Sequence, residues 1–226
     1  MTTEDLPKPI APPDWREQFE AACANLPETV QLPYEYTPEG RRLKEFKRVC
    51  PEQFYCKVDR ARLPDPDAFD RVAKWDGSFP GPCAYGSADT AKTLAAWCAM
   101  GRLYVKQNLP FAWFPAKRLI TEMHEADLTG DIGIFFRRYS HFKVLMIDDV
   151  EKVNWDFGST VELLFAFYDW VYRSHVRCIT TSNKGPKWWE DKMGEGMVRR
   201  LFKDGHYAVH FTTAQARETN RAKGKT

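Results

Sequence analysis

The chain has 226 residues, with 33 Lys and Arg against 31 Asp and Glu and a formal charge of +2. That length suits one domain with a substantial core, and so balanced a charge excludes any case for nucleic acid made from global electrostatics alone. No apolar run reaches the roughly 18 residues that span a bilayer, and MTTEDLPKPIAPPDW lacks the basic and apolar regions of a signal peptide; a cytoplasmic protein without membrane association is the expectation.

In chain order, residues 1 to 13 are Pro-rich and read as disordered. DWREQFEAACANL follows as an amphipathic helix with Asp14 as N-cap, its face formed by Trp15, Phe19 and Leu26. A proline-punctuated connector leads through Thr37-Pro38 into a second short helix, RRLKEFKRVC. Residues 1–45 are thus expected to form an N-terminal arm, 46–213 the core, and 214–226 a basic, mobile tail.

From about Val72 strands alternate with helices, the pattern of a parallel sheet covered on both faces. The expected strands are PCAYG, FAWF, KVLMIDD, VRCITTSN and HYAVHFTT. Between them the helices are TAKTLAAWCAMGRLYVKQ, AKRLITEMHEAD, DIGIFFRRYS, STVELLFAFYDWVYRSH and GEGMVRRLFKDG. The six cysteines, Cys23, Cys50, Cys56, Cys83, Cys98 and Cys178, lack the tight pairs of structural zinc and read as small apolar filling. His206 and His210 lie on a predicted strand, where four residues span roughly 13 Å, too far for one ion.

Four features along this order carry chemistry. Gly86, Ser87, Ala88, Asp89, Thr90, Ala91, Lys92 and Thr93 have the outline of a phosphate-binding loop running into a helix. Val144 to Ile147 deliver Asp148 and Asp149 to the C-terminal edge of a buried strand, where ligands of open parallel sheets bind. In nucleoside triphosphatases such carboxylates hold Mg²⁺ and polarise the attacking water; a strand that ends in Asp merely to cap the next element is the alternative. The next strand ends in Thr180 to Asn183, an amide within reach of a γ-phosphate or a plain turn. Arg199-Arg200 sits on a helix before the last strand, either as surface charge or as a finger offered to a neighbouring subunit.

Taken in that order, YGSADTAKTLAAW, VLMIDDVEKV, CITTSN and MVRRLF resemble the DnaC/IstB-like branch of the AAA+ ATPases, and more closely replication-initiation-type ATP-binding proteins. The resemblance runs from about Arg42 to Phe211 and takes in CPEQFYCKVDRARLP and RVAKW before the loop. It implies an α/β AAA+ P-loop core with a five-stranded parallel sheet in order 5-1-4-3-2, flanked by helices, whose subunits assemble into a ring or spiral. About fifteen residues follow Phe211, so no C-terminal lid domain is expected. The same resemblance implies ATP and Mg²⁺ as cofactors. Lys92 would contact the β- and γ-phosphates, Thr93 and Asp148 would bind Mg²⁺, and Asp149 would activate water. Asn183 would be the first sensor, Arg200 the finger, and Trp75 a neighbour of the adenine.

The loop departs from the family's G-x-x-G-x-G-K-T at two places, Asp89 and Ala91. Backbone N–H groups of such loops wrap phosphate, and glycine permits both the turn and the close approach. A methyl at Ala91 costs about 1–2 kcal/mol if φ must be positive. Asp89 adds negative charge near a triphosphate. Asp149 stands where a longer glutamate is usual.

The function implied is a helicase loader that couples ATP binding to single-stranded DNA and a replicative DNA helicase. Trp15, Phe19 and Leu26 are the candidate helicase contact, and Lys117, Arg118, Arg137 and Arg138 the candidate DNA contacts. Arg137-Arg138 lies among Phe135, Phe136 and Tyr139, a mixture that single-strand binding favours and that one apolar and one charged helix face also explains. An IstB-like transposition ATPase and a non-hydrolysing adaptor with a degenerate nucleotide site are the alternatives.

Overall fold

The structure is a computed structural model and describes residues 34–54, 58–203 and 207–213. The segments outside it include the predicted helix at 14–26, Cys23, Cys56, His206 and the basic tail.

Five strands, β1 (Pro82–Gly86), β2 (Phe111–Pro115), β3 (Val144–Asp148), β4 (Arg177–Ser182) and β5 (Tyr207–Phe211), form one sheet. The order is β2-β3-β4-β1-β5 with every pair parallel, the topology that the family resemblance implied. All five residues of β3 are buried, because the strand is central and covered on both faces.

Alternation along β3 divides the core. Leu145 and Ile147 enter one apolar cluster with Leu119, Leu164 and Phe167, while Val144 and Met146 enter a second with Trp97, Met100 and Leu103. Cys50, Cys83 and Cys178 are buried in these clusters as the small apolar groups expected. Cys98 packs partly buried against a third, where Val209 and Phe211 of β5 meet Phe69 and Val72.

Among the described residues eight α-helices flank the sheet: α1 (Pro38–Val49), α2 (Pro66–Ala73), α3 (Lys92–Gln107), α4 (Ala116–Leu128), α5 (Ile132–Tyr139), α6 (Thr160–Arg173), α7 (Pro186–Met193) and α8 (Glu195–Val198). Thr37 caps α1 by accepting the Gly40 N–H at 3.0 Å, with Pro38 in the first turn, as read from the sequence. The helix runs across residue 45, the boundary drawn for the arm, and packs on α3 with Phe46 edge-on to Trp97.

Two helices were not anticipated. α2 begins where strands were expected to take over; Asp65 caps it through Ala68 N–H and also accepts from the backbone and hydroxyl of Thr212, tying the helix to the end of β5. α7 opens at Gly185-Pro186 and buries Trp189 and Met193. The expected helix over GEGMVRRLFKDG is instead the single turn α8 running into a π-helical turn, Arg199–Lys203. Among the described residues no element follows β5, and no helix is long and apolar enough to cross a membrane.

Candidate nucleotide site

β1 ends at Gly86, whose φ is +130°. A Cβ there would fall 2.1 Å from the Phe211 carbonyl oxygen of β5, so only glycine lets the two backbones pass. The chain then turns through Ser87 to Ala91 and enters α3 at Lys92. Asp89 (φ +57°) and Ala91 (φ +68°) both adopt the left-handed conformation. The two residues that replace the family's glycines keep a backbone that glycine would adopt freely. For Ala91 that costs about 1–2 kcal/mol; Asp tolerates the region better.

Lys92 is only 6% exposed, and burial lowers its pKa despite the carboxylates of Glu151, Asp149, Asp148 and Asp89. Its ammonium is fully occupied by its own loop: it donates to Gly86 O at 3.1 Å, Ser87 O at 2.5 Å and Thr90 Oγ1 at 3.3 Å. These bonds satisfy an otherwise costly buried charge. They do not close the site. A cavity of about 590 Å³ lies beside the loop, lined by Asp89, Lys92, Thr93, Asp149, Lys152 and Asn183, with Gln53 and Phe54 on a further wall. That is within the ordinary range of small-molecule sites.

The strand ends meet the loop here. Thr93 donates to Asp148 Oδ1 at 2.8 Å, and Thr181 of β4 donates to the same oxygen at 2.5 Å. Thr181 also accepts the Asp149 N–H at 3.0 Å, so one hydroxyl links both aspartates. Burial raises the Asp148 pKa, and the two hydroxyl donors oppose that shift. Asp149 is left-handed (φ +57°), and its carboxylate pairs with Lys152 at 2.6 Å. Asn183 is held by Glu151: its backbone N–H donates at 2.9 Å and its side-chain amide at 2.5 Å.

Lys92, Thr93 and Asn183 therefore line one cavity at the sheet edge, and Asp148, bonded to Thr93, joins the same site from behind the cavity wall. Thr181, Glu151 and Lys152 complete it and were not singled out in the sequence. Thr181 was legible as the alternate of Asn183 on the strand; Glu151 and Lys152 gave no signal, because their roles depend on a short 3-10 turn, Val150–Lys152, folding back toward β4. Trp75 is not at this cavity: it is buried in the core and donates its indole N–H to Ser78.

The other assigned residues lie apart. Arg200 pairs with Asp169 of α6 at 2.8 Å, its guanidinium 5.6 Å and 5.7 Å from the Phe165 and Tyr172 rings. It does not line the cavity of its own subunit. Lys117, Arg118, Arg137 and Arg138 are exposed, with Arg118 paired to Glu122. The aromatic residues beside Arg137 face inward: Phe135 is buried, Phe136 stacks on Trp170, and Tyr139 packs edge-on to Phe114. α5 has one apolar and one charged face, the plainer of the two readings.

Thr93 and Asp148 offer adjacent hard oxygen donors of the kind Mg²⁺ takes. Among the described residues no group of three or more His, Cys, Asp or Glu could hold a metal unaided. The pair would hold Mg²⁺ only together with phosphate oxygens and water.

No protein-family model and no curated protein matches the chain. Solved structures do. It is similar to the replication initiator DnaA bound to AMPPCP and single-stranded DNA (TM-score 0.52, 22% identity, covering 65% of this chain and 44% of that one). It is also similar to the DnaC helicase loader (TM-score 0.54, 18% identity, 64% of this chain and 86% of that one) and to DnaI (TM-score 0.53, 15% identity, 72% and 95%). The chain spans less than half the length of the initiator and most of the length of the two others. With the strand order and flanking helices, these matches define the fold as an AAA+ P-loop core. It is the fold seen in the DnaA, DnaC and DnaI structures.

Proposed function

We propose that this chain is an ATP-binding helicase-loader-like protein of DNA replication, whose nucleotide state governs its hold on single-stranded DNA and on a replicative helicase. The observation that carries this reading is a single cavity at the C-terminal edge of the sheet lined by Lys92, Thr93, Asp149 and Asn183, with Asp148 bonded to Thr93 beside it. Neighbours of the same fold support it: DnaA is known bound to AMPPCP and single-stranded DNA, and DnaC is a helicase loader.

In this reading Lys92 leaves its loop carbonyls for the β- and γ-phosphates, exchanging one set of charge-assisted hydrogen bonds for another. Thr93 and Asp148 would hold Mg²⁺, which would supply neutralisation of phosphate charge. Asp149 orients and polarises water, and Asn183 donates to the terminal phosphate. Arg200, remote from its own cavity, serves the cavity of an adjacent subunit in a ring or spiral. Lys117, Arg118, Arg137 and Arg138 contact the DNA backbone by charge alone, since the nearby rings pack inward against the core.

A second reading, a non-hydrolysing adaptor, is favoured by the strained Ala91, by the loop-bound Lys92 and by the acidic surroundings of that lysine. Thermal shift with Mg²⁺-ATP separates the two. The loader reading expects stabilisation in the wild type that disappears in Lys92→Ala, together with ATP-dependent co-purification with the replicative helicase. Stabilisation absent from the wild type supports the adaptor.

A further inference from the structure

Glu151 is the one carboxylate of the site engaged with the group that would read the terminal phosphate. It grips Asn183 twice, through the backbone N–H (2.9 Å) and the side-chain amide (2.5 Å). The grip is built into the fold: Glu151 lies on the short turn directly after Asp149, and that turn is anchored by the fully buried Val150 and by the Lys152 N–H donating to Asp149 O at 2.9 Å. On the same turn Lys152 holds the Asp149 carboxylate. One 3-10 turn thus occupies the two polar groups assigned to hydrolysis within this subunit's own site. Glu151 is also, among the carboxylates around Lys92, the one that acts on its charge most strongly.

We infer that Glu151 is a gate on the nucleotide site, closed on Asn183 in the resting protein and displaced by the terminal phosphate of a nucleoside triphosphate. This rests on the nucleotide-binding reading above. The chemistry follows from charge. An anionic carboxylate and an anionic phosphate compete for one amide, and in a site partly shielded from water their repulsion is much stronger than in bulk. A diphosphate has no terminal group to place at Asn183 and leaves the gate shut. The closed gate therefore taxes the triphosphate alone and narrows the difference in affinity between the two nucleotides. When it opens, Asn183 is freed, and the turn that bears Lys152 and abuts Asp149 is released with it, so that recognition of the third phosphate and readiness for hydrolysis are one event.

The test compares wild type, Glu151→Gln and Glu151→Ala for binding of ADP and a non-hydrolysable ATP analogue with Mg²⁺ by calorimetry, with Lys92→Ala as the control for the site itself. Melting curves establish that each variant is folded. Glu151→Gln keeps a hydrogen-bonding partner for Asn183 but removes the charge. The gate expects both Glu151 variants to bind the triphosphate analogue at least fivefold tighter, with ADP affinity unchanged within twofold. In unmutated protein, the analogue but not ADP should increase deuterium uptake in a peptide spanning residues 150–153.

Lys92-dependent analogue binding left unchanged or weakened by Glu151→Gln overturns the gate while the nucleotide reading stands. Equal tightening of both nucleotides also overturns it, since that is general relief of negative charge. Analogue binding seen only in the Glu151 variants supports it. Absence of Lys92-dependent binding in every variant removes the nucleotide reading and the gate together. Should either variant fail to fold, the exchange experiment on the unmutated protein decides: uptake that falls or stays constant with the analogue overturns the gate.

Discussion

Thr93, in the first turn of α3, donates a 2.8 Å hydrogen bond to Asp148 at the end of β3, and Thr181 from the neighbouring strand donates to the same carboxylate oxygen. Two hydroxyls thus fix one oxygen of a buried aspartate. Thr181→Val keeps the shape but removes the donor to Asp148 and the acceptor of the Asp149 N–H. Leaving such buried groups unpaired costs about 1–3 kcal/mol, which corresponds to a fall in Tm of about 2–12 °C for a chain of this size. Calorimetric melting of the nucleotide-free protein checks it.

Asp148 also sets a pH dependence. Its folded pKa is raised, chiefly by burial, so the folded state favours the protonated acid. Stability linked to this group is fully present below the unfolded pKa and is lost as pH rises through the folded value. Asp148→Asn, whose amide oxygen still accepts from both threonines, should therefore melt higher than wild type at pH 7. The gap should shrink as pH falls toward 4, while Mg²⁺-dependent nucleotide binding is lost. A gap that widens on acidification would contradict burial as the dominant cause.

Loop strain gives a separate expectation. Ala91→Gly removes a left-handed alanine costing about 1–2 kcal/mol, offset by about 0.5–1 kcal/mol of added chain entropy. The net gain is up to about 1.5 kcal/mol, so Tm should rise by up to about 6 °C. The double variant Asp89→Gly, Ala91→Gly should bind Mg²⁺-ATP about tenfold tighter, because a carboxylate beside the cavity goes as well. Affinity unchanged in the double variant would show that neither side chain obstructs phosphate.

Lys92→Met deletes the charge-assisted bonds to phosphate, worth about 1.5–3 kcal/mol. Affinity for Mg²⁺-ATP should fall about 10- to 150-fold, measured by titration calorimetry against wild type.

For Arg200 the prediction concerns two subunits. Arg200→Ala should keep nucleotide binding and lose hydrolysis, and mixing it with Lys92→Ala should partly restore turnover, because each variant supplies what the other lacks. Turnover that stays absent at every mixing ratio would assign Arg200 to the Asp169 pair alone.

The basic face of α5 is tested by salt. If Arg137 and Arg138 each contact a phosphate, the double alanine variant should reduce the slope of log affinity against log salt for single-stranded DNA by about 1.4. An unchanged slope would leave the pair as solvated surface.

Sequence pattern determined the strands and the positions that could carry chemistry, while the order of the strands in the sheet was implied by the family resemblance. Strand and helix periods show in local pattern, as in VLMIDD, where an unbroken apolar run fixes a central strand and presents its acids at the open edge. What the tertiary structure decided is who partners whom. Nothing near Lys92 in sequence says that its ammonium is bonded to the carbonyls of Gly86 and Ser87, and nothing near Asn183 points to Glu151, 32 positions away. Trp75 reads as a ligand neighbour but is core, and α2 hides behind Asp65, whose cap is shared with Thr212 from the far end of the chain. Those contacts are made between strand ends and turns that only the folded sheet brings together. Periodicity reports which face a side chain occupies, and a hydrogen bond depends on what arrives opposite that face.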